Sequence, residues 1–171
     1  MNPQHEPTLS HLDRQGKARM VDVGDKPISS RRAVASGIIQ MASETLEKIR
    51  AGGFEKGDVL AVARIAAIQG AKETSRLVPL CHPIGIDQIA IDFEEIEESP
   101  LFGIRVRAAV RTDARTGVEM EALTAVTVSL LTIYDMCKSV DRQMHFRSVR
   151  LEEKTGGTSG SWSREDATET D

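Results

Sequence analysis

The chain has little of several things, and each shortage narrows the choice. It holds two cysteines, Cys81 and Cys137, in 171 residues. That suits a reduced, cytoplasmic protein better than a disulfide scaffold. With four histidines and no closely spaced ligand pairs, there is also no signature of a structural zinc site. One Trp, one Tyr and four Phe are too few for a base-stacking platform. A net charge of −4 argues against a general nucleic-acid binder, although 22 Lys and Arg leave room for a local anion pocket. No apolar run reaches membrane length without interruption by Thr, Ser or Asp, and the first twenty residues lack the apolar segment of a signal peptide.

What is present describes one ordinary domain, 40% hydrophobic and 28% charged. The most informative stretch is GVEMEALTAVTVSLLTIYDMCKSVD, residues 117–141. Leu123, Val126, Leu130, Ile133, Cys137 and Val140 step by three and four, the period of a helix with one apolar stripe. An adjoining stripe runs Thr124, Val128, Leu131, Asp135, Lys138, so an acid and a base point the same way, one turn apart, beside hydrocarbon. Two readings stand. The pair is an exposed i,i+3 ion pair contributing a few tenths of a kcal/mol, or a catalytic edge whose pKa values burial draws towards neutrality.

Around this helix the pattern predicts a strand at 18–23 and a helix capped by Ser29 or Ser30 that runs to Arg50. A second helix follows from Asp58 to Val78, where Pro79 stops it. Leu80, Cys81 and His82 then lie in a loop pinned by Pro79 and Pro83. Alternation over 86–96 and 101–112, with Pro100 between, predicts a hairpin. Thr116 and Glu119 have capping-box spacing for the long helix, and 145–153 reads as a last strand. With one helix treated as an insertion, the order is β-α-β-β-α-β, an α+β ferredoxin-like plan with an antiparallel sheet and helices on one face. Its other sheet face, if apolar, would need covering by oligomerisation. Residues 1–8 are expected to be a mobile N-terminus, 9–154 a single catalytic domain, and 155–171 a Gly/Ser-rich, acidic, largely disordered tail.

Cations gather at element ends: Arg31, Lys56 and His82, with Lys154 before a Gly-rich segment. That segment is either an anion wrap or a linker. Glu121 and Asp135 are fourteen residues apart, about 21 Å along a helix, too far for one small substrate to touch both. Either Glu119 only caps the helix, or a pocket using both helix ends combines residues from different subunits.

Several long blocks carry a resemblance over about residues 9–160: MVDVGDK (20–26), KGDVLAVARIAAIQGAK (56–72), PLCHP (79–83), TGVEMEALTAVTVSLLTIYDMCKSVD (116–141) and the K-x-GG-x-SG segment (154–160). In these the chain resembles the cyclic pyranopterin monophosphate synthases, the second enzymes of molybdenum cofactor biosynthesis. The resemblance implies a cytoplasmic phosphorus–oxygen lyase that converts (8S)-3′,8-cyclo-7,8-dihydroguanosine 5′-triphosphate into cyclic pyranopterin monophosphate and diphosphate. It implies a ferredoxin-like fold and a homohexamer, a trimer of dimers with interfacial active sites. Asp135, Lys138 and Lys56 are then expected to be catalytic, with Leu80, Cys81, His82, Glu119, Met120, Glu121, Arg31 and Lys154 around the substrate. No metal is demanded, although Mg²⁺ can accompany a triphosphate; nucleic-acid and membrane partners are not expected. Many relatives carry Lys where this chain has Thr158, which removes one expected phosphate contact. The competing classes are a ligand sensor on the same fold and a purely structural subunit.

Overall fold

The computed structural model describes residues 15–158 and 160–164. In chain order they form β1 (Ser29–Gln40), α1 (Ser43–Arg50), α2 (Val59–Lys72), α3 (Thr74–Leu77), β2 (Gln88–Glu98), β3 (Leu101–Ala114), α4 (Glu119–Cys137), β4 (His145–Thr155) and β5 (Trp162–Ser163). The sheet order is β2-β3-β1-β4-β5, antiparallel at every pairing. With α2 and α4 on one face, this is the ferredoxin-like plan extended by β5 at one edge.

The first half of the chain differs from the sequence reading. Residues 18–23 lie outside the sheet apart from one isolated bridge at Ala18. Residues 29–40, expected as helix, are the central strand, and only 43–50 are helical. The spacing of Val34, Ile38 and Met41 fits a helix. However, Ala33, Ala35 and Ile39 are fully buried, and a Cβ on Gly37 would sit 2.8 Å from Val126 and 3.0 Å from Leu130. Small residues at every second position let α4 lie close on this strand. Burial on both faces hides the alternation that marks an exposed strand.

Elsewhere the elements follow from local chemistry. Asp58 caps α2 by accepting from the Ala61 N–H at 3.0 Å. Ala63, Ala67 and Ala71 face the core, while Ile65 on the opposite side is 69% exposed, so among the described residues α2 is buried on one side. α2 ends at Lys72, earlier than Pro79 suggested, and Thr74 Oγ1 donates back to the Ala71 carbonyl at 2.9 Å before the single turn of α3. The expected capping box does not form: Val118 is the N-cap of α4, with no side-chain cap. The described part of the expected tail carries β5, which pairs Trp162 with Lys154 and Ser163 with Glu153. Its remainder, and the expected mobile N-terminus, lie outside the described residues.

Leu130, fully buried between α4 and the sheet, shows how firmly that helix is seated. Leu130→Ala should cost about 2–5 kcal/mol by leaving a cavity, read as a lower midpoint in urea with an unchanged slope.

The open face of the sheet is not the apolar surface expected. Arg32 and Arg107 both reach Glu153, Arg105 pairs with Glu94 at 2.7 Å, and Arg150 and Arg164 converge on Glu152. A grid of ion pairs can face water unaided.

Candidate active site

Helix α4 carries candidate site residues at both ends. At its C-terminal end Asp135 and Lys138 meet on one face as the helical spacing requires, Lys138 Nζ donating to Asp135 Oδ1 at 2.6 Å. Lys56, in the turn before α2, reaches the same place: its ammonium donates to the Asp135 carbonyl at 3.0 Å and lies 3.5 Å from Oδ2. This cation also counters the negative end of the α4 dipole.

All three side chains are more than half exposed in the protomer. Their electrostatics therefore run opposite to the expectation of pKa values drawn towards neutrality. The hydrogen bond from Lys138, with the charges of Lys138 and Lys56, holds the Asp135 carboxyl below its ordinary range. The same bond raises the Lys138 ammonium. At neutral pH the pair is an ionised carboxylate holding a protonated amine.

The other end of α4 is packed differently. The loop 81–87 is tied to β3, where the Asp87 N–H donates to the Arg111 carbonyl and Asp87 Oδ2 accepts from the Asp113 N–H. That anchoring brings Cys81 Sγ to 3.5 Å from Glu121 Oε1. Glu121 is 2% exposed, and its Oε2 is buried without a hydrogen-bond partner. Burial raises the Glu121 carboxyl above its ordinary range. Burial, then the Glu121 charge, pushes the Cys81 thiol up to about 11. Leu80 and His82 flank Cys81 and are partly buried; Met120, beside Glu121, is 39% exposed.

The Glu121 shift has a sign that can be checked. A carboxyl with a raised folded pKa contributes fully below its unfolded value, about 4.3, and that contribution is lost as pH rises through the folded value. Glu121→Gln should therefore raise the melting temperature near pH 7 and lose that advantage near pH 4.

Beside Glu121 lies a basic cleft of about 140 Å³, walled by Arg31, Arg115, Glu119, Lys154 and Gly156. Lys154 Nζ lies 3.3 Å from Glu119 Oε1, so Glu119 serves an ion pair instead of a cap. Arg31 sits on β1, not at a helix start, and its guanidinium reaches the Ala114 and Arg115 carbonyls at 3.4 Å. Gly156 and Gly157 have φ of 91° and 80°, and a Cβ on Gly157 would collide with that guanidinium. Thr158 also lines the cleft, where a lysine would add a further cation. The sequence reading missed Lys26, Arg32 and Arg115, which line it too. Lys26 could have been found, since it closes the MVDVGDK block.

The structure thus gathers Lys56, Asp135 and Lys138 at one end of α4, and Arg31, Cys81, Glu119, Glu121 and Lys154 at the other. It does not bring the two groups together within one protomer, because the helix between them holds them about 21 Å apart. Among the described residues, no group of three or more His, Cys, Asp or Glu could hold a metal ion. α4 is long and apolar enough, by length and composition, to cross a membrane, but half of it is buried in the fold as the central core helix.

The sequence pattern of the MoaC family matches residues 20–157. Three relatives, one from Mycobacterium bovis and two from strains of Mycobacterium tuberculosis, are each named cyclic pyranopterin monophosphate synthase 3. Each is 54% identical over 163 residues, covering 95% of this chain and 90% of the relative.

Proposed function

The chain belongs to the MoaC family, and we propose that it is a cyclic pyranopterin monophosphate synthase of molybdenum cofactor biosynthesis, acting in the cytoplasm. Its substrate is (8S)-3′,8-cyclo-7,8-dihydroguanosine 5′-triphosphate, and its products are cyclic pyranopterin monophosphate and diphosphate. The observation that carries this reading is the division of labour along α4. A carboxylate-held ammonium lies at one end, and a basic cleft sized for phosphate oxygens lies at the other.

In this reading Arg31, Lys154 and His82 hold the triphosphate by charge-assisted hydrogen bonds. A sugar oxygen attacks the α-phosphorus and diphosphate leaves, with cations stabilising the charge that develops. Lys138 transfers protons as the purine-derived ring opens and is rebuilt, and Asp135 sets its position and charge. Lys56, already bound to Asp135, supplies a further positive charge at that centre. Leu80, Cys81, Met120 and Glu121 border the ring system, and Glu119 orients Lys154. No resident metal is required; Mg²⁺ arriving with the triphosphate would ride on phosphate oxygens.

Both helix ends serve one substrate only if two protomers share each site; this argues for a dimer contact, and the family resemblance extends it to a homohexamer, a trimer of dimers. The test is direct. Purified protein given the cyclic dihydroguanosine triphosphate should release one diphosphate for each cyclic pyranopterin monophosphate formed. Tight binding without release would make it a sensor.

A further inference from the structure

Strand β4 runs beside the central strand β1 in a register that slips by one residue at Glu152. Leu151 lies opposite Ala35, but Glu153 lies opposite Val34 and Lys154 opposite Ala33. Glu152 is thus the extra residue of a β-bulge, with no residue of β1 across from it. The slip decides which way Lys154 points. Residues directly opposite one another share a face of the sheet. Ala33 and Ala35 belong to the core under α4; Leu151 packs against that core, and Lys154 reaches Glu119 on α4. Without the extra residue, strict alternation from Leu151 would turn Lys154 to the open face, away from the basic cleft. Instead Glu152 and Glu153 both stand on the open face, where Arg150 meets the first and Arg107 the second.

A bulge interrupts the ladder, so something else must hold it in place. The buried Ser36, on β1, donates its hydroxyl to the Glu152 carboxylate. Arg150 Nε donates to the same oxygen at 2.9 Å, and the Arg164 guanidinium lies 3.6 Å from the other. Arg164 Nε also donates to the Leu151 carbonyl at 2.9 Å, and β5 pairs Ser163 with Glu153 and Trp162 with Lys154. β5 therefore brackets the bulge, bonded to the residue before it and to the two after it. We propose that Glu152 is a positioning residue for Lys154: its bulge turns Lys154 into the cleft, and Ser36 and Arg164 lock that bulge from the far face of the sheet. The proposal deepens the reading of Lys154 as a phosphate-binding residue and rests on it. Glu152 and Arg164 line the open-face cavity and not the cleft, so they act through β4 and touch no substrate. Once freed from Ser36 and Arg164, the bulge can shift along β4, and any such shift carries Lys154 off the phosphates.

A double-mutant cycle on the full chain tests this. Glu152→Ala should raise KM for the cyclic dihydroguanosine triphosphate about tenfold and leave kcat within about twofold. Glu152→Gln keeps an acceptor for Ser36 and Arg164 and should recover most of that loss. In a Lys154→Ala background Glu152→Ala should change KM no further, because the side chain that it aims is gone. General loosening of the fold would instead add its effect in both backgrounds. Should Glu152→Ala fail to fold, Arg164→Ala, which leaves the bulged residue in place, carries the same predictions. A raised KM in Lys154→Ala with an unchanged KM in Glu152→Ala and Arg164→Ala would overturn the proposal and keep Lys154 on the phosphates. Effects that multiply in full with that of Lys154→Ala would overturn it too. An unchanged KM in Lys154→Ala would remove the phosphate reading, and this proposal with it.

Discussion

Lys138→Ala is expected to lower turnover by about 10²–10⁴-fold, the range for loss of a positioned proton-transfer group, while the protein still folds and assembles. Lys138 follows the last turn of α4 and is half exposed in the protomer. Its ion pair with Asp135 therefore adds little to stability, and thermal melts should hardly move. The loss should fall on kcat, because proton transfer by this amine belongs to the step that follows binding. Lys138→Arg distinguishes charge from proton. A guanidinium preserves the positive charge but does not give up its proton, so this variant should bind substrate and remain slow. Near-normal product formation by Lys138→Ala would refute the assignment.

Lys154→Ala should act differently. Lys154 is the penultimate residue of strand β4, with its ammonium beside Glu119 in the basic cleft. A hydrogen bond to a charged group is worth about 1.5–3 kcal/mol. Its removal should thus cost about 10- to 150-fold in kcat/KM, mostly as a raised KM. The absence of lysine at Thr158 makes this variant the more damaging one here, since fewer cations remain to share the phosphates. Stopped-flow measurement of substrate binding would show the weakening before any chemistry. Unchanged KM with reduced kcat would move Lys154 from phosphate binding into the chemical step.

The parts of this protein that could be read from sequence are those where one face meets water. The β2–β3 hairpin alternates, α4 shows a helical stripe, and Asp135 with Lys138 fall one turn apart by spacing alone. β1 was illegible for a physical reason. Ala33, Ala35, Gly37 and Ile39 are selected by the closeness of α4, and Val34, equally buried on the other face, breaks the contrast. Glu119 illustrates a second limit. Its spacing from Thr116 is that of a cap, but Lys154, far along the chain, competes for the carboxylate and wins. The direction of the Asp135 and Lys138 shifts was misjudged because spacing says nothing of exposure. The hydrocarbon beside the pair suggested burial, whereas among the described residues both side chains are more than half exposed. The basic cleft was half visible: Arg31 and Lys154 lie in recognisable blocks, but Arg115 joins them only through the sheet register that places Ala114 opposite Ser29.

Subunit complementation tests most directly whether each catalytic centre draws on two protomers. Lys138→Ala damages one end of α4 and Lys154→Ala the other, so at substrate well below the wild-type KM each should be nearly inactive alone. After unfolding and refolding together in equal amounts, about half the dimers should be mixed, and each mixed dimer should hold one undamaged site of two. Recovery of about one quarter of the wild-type rate at that substrate concentration is predicted from the two-fold arithmetic. A mixture no more active than the average of its two parents, with mixed dimers present by mass, would contradict the account.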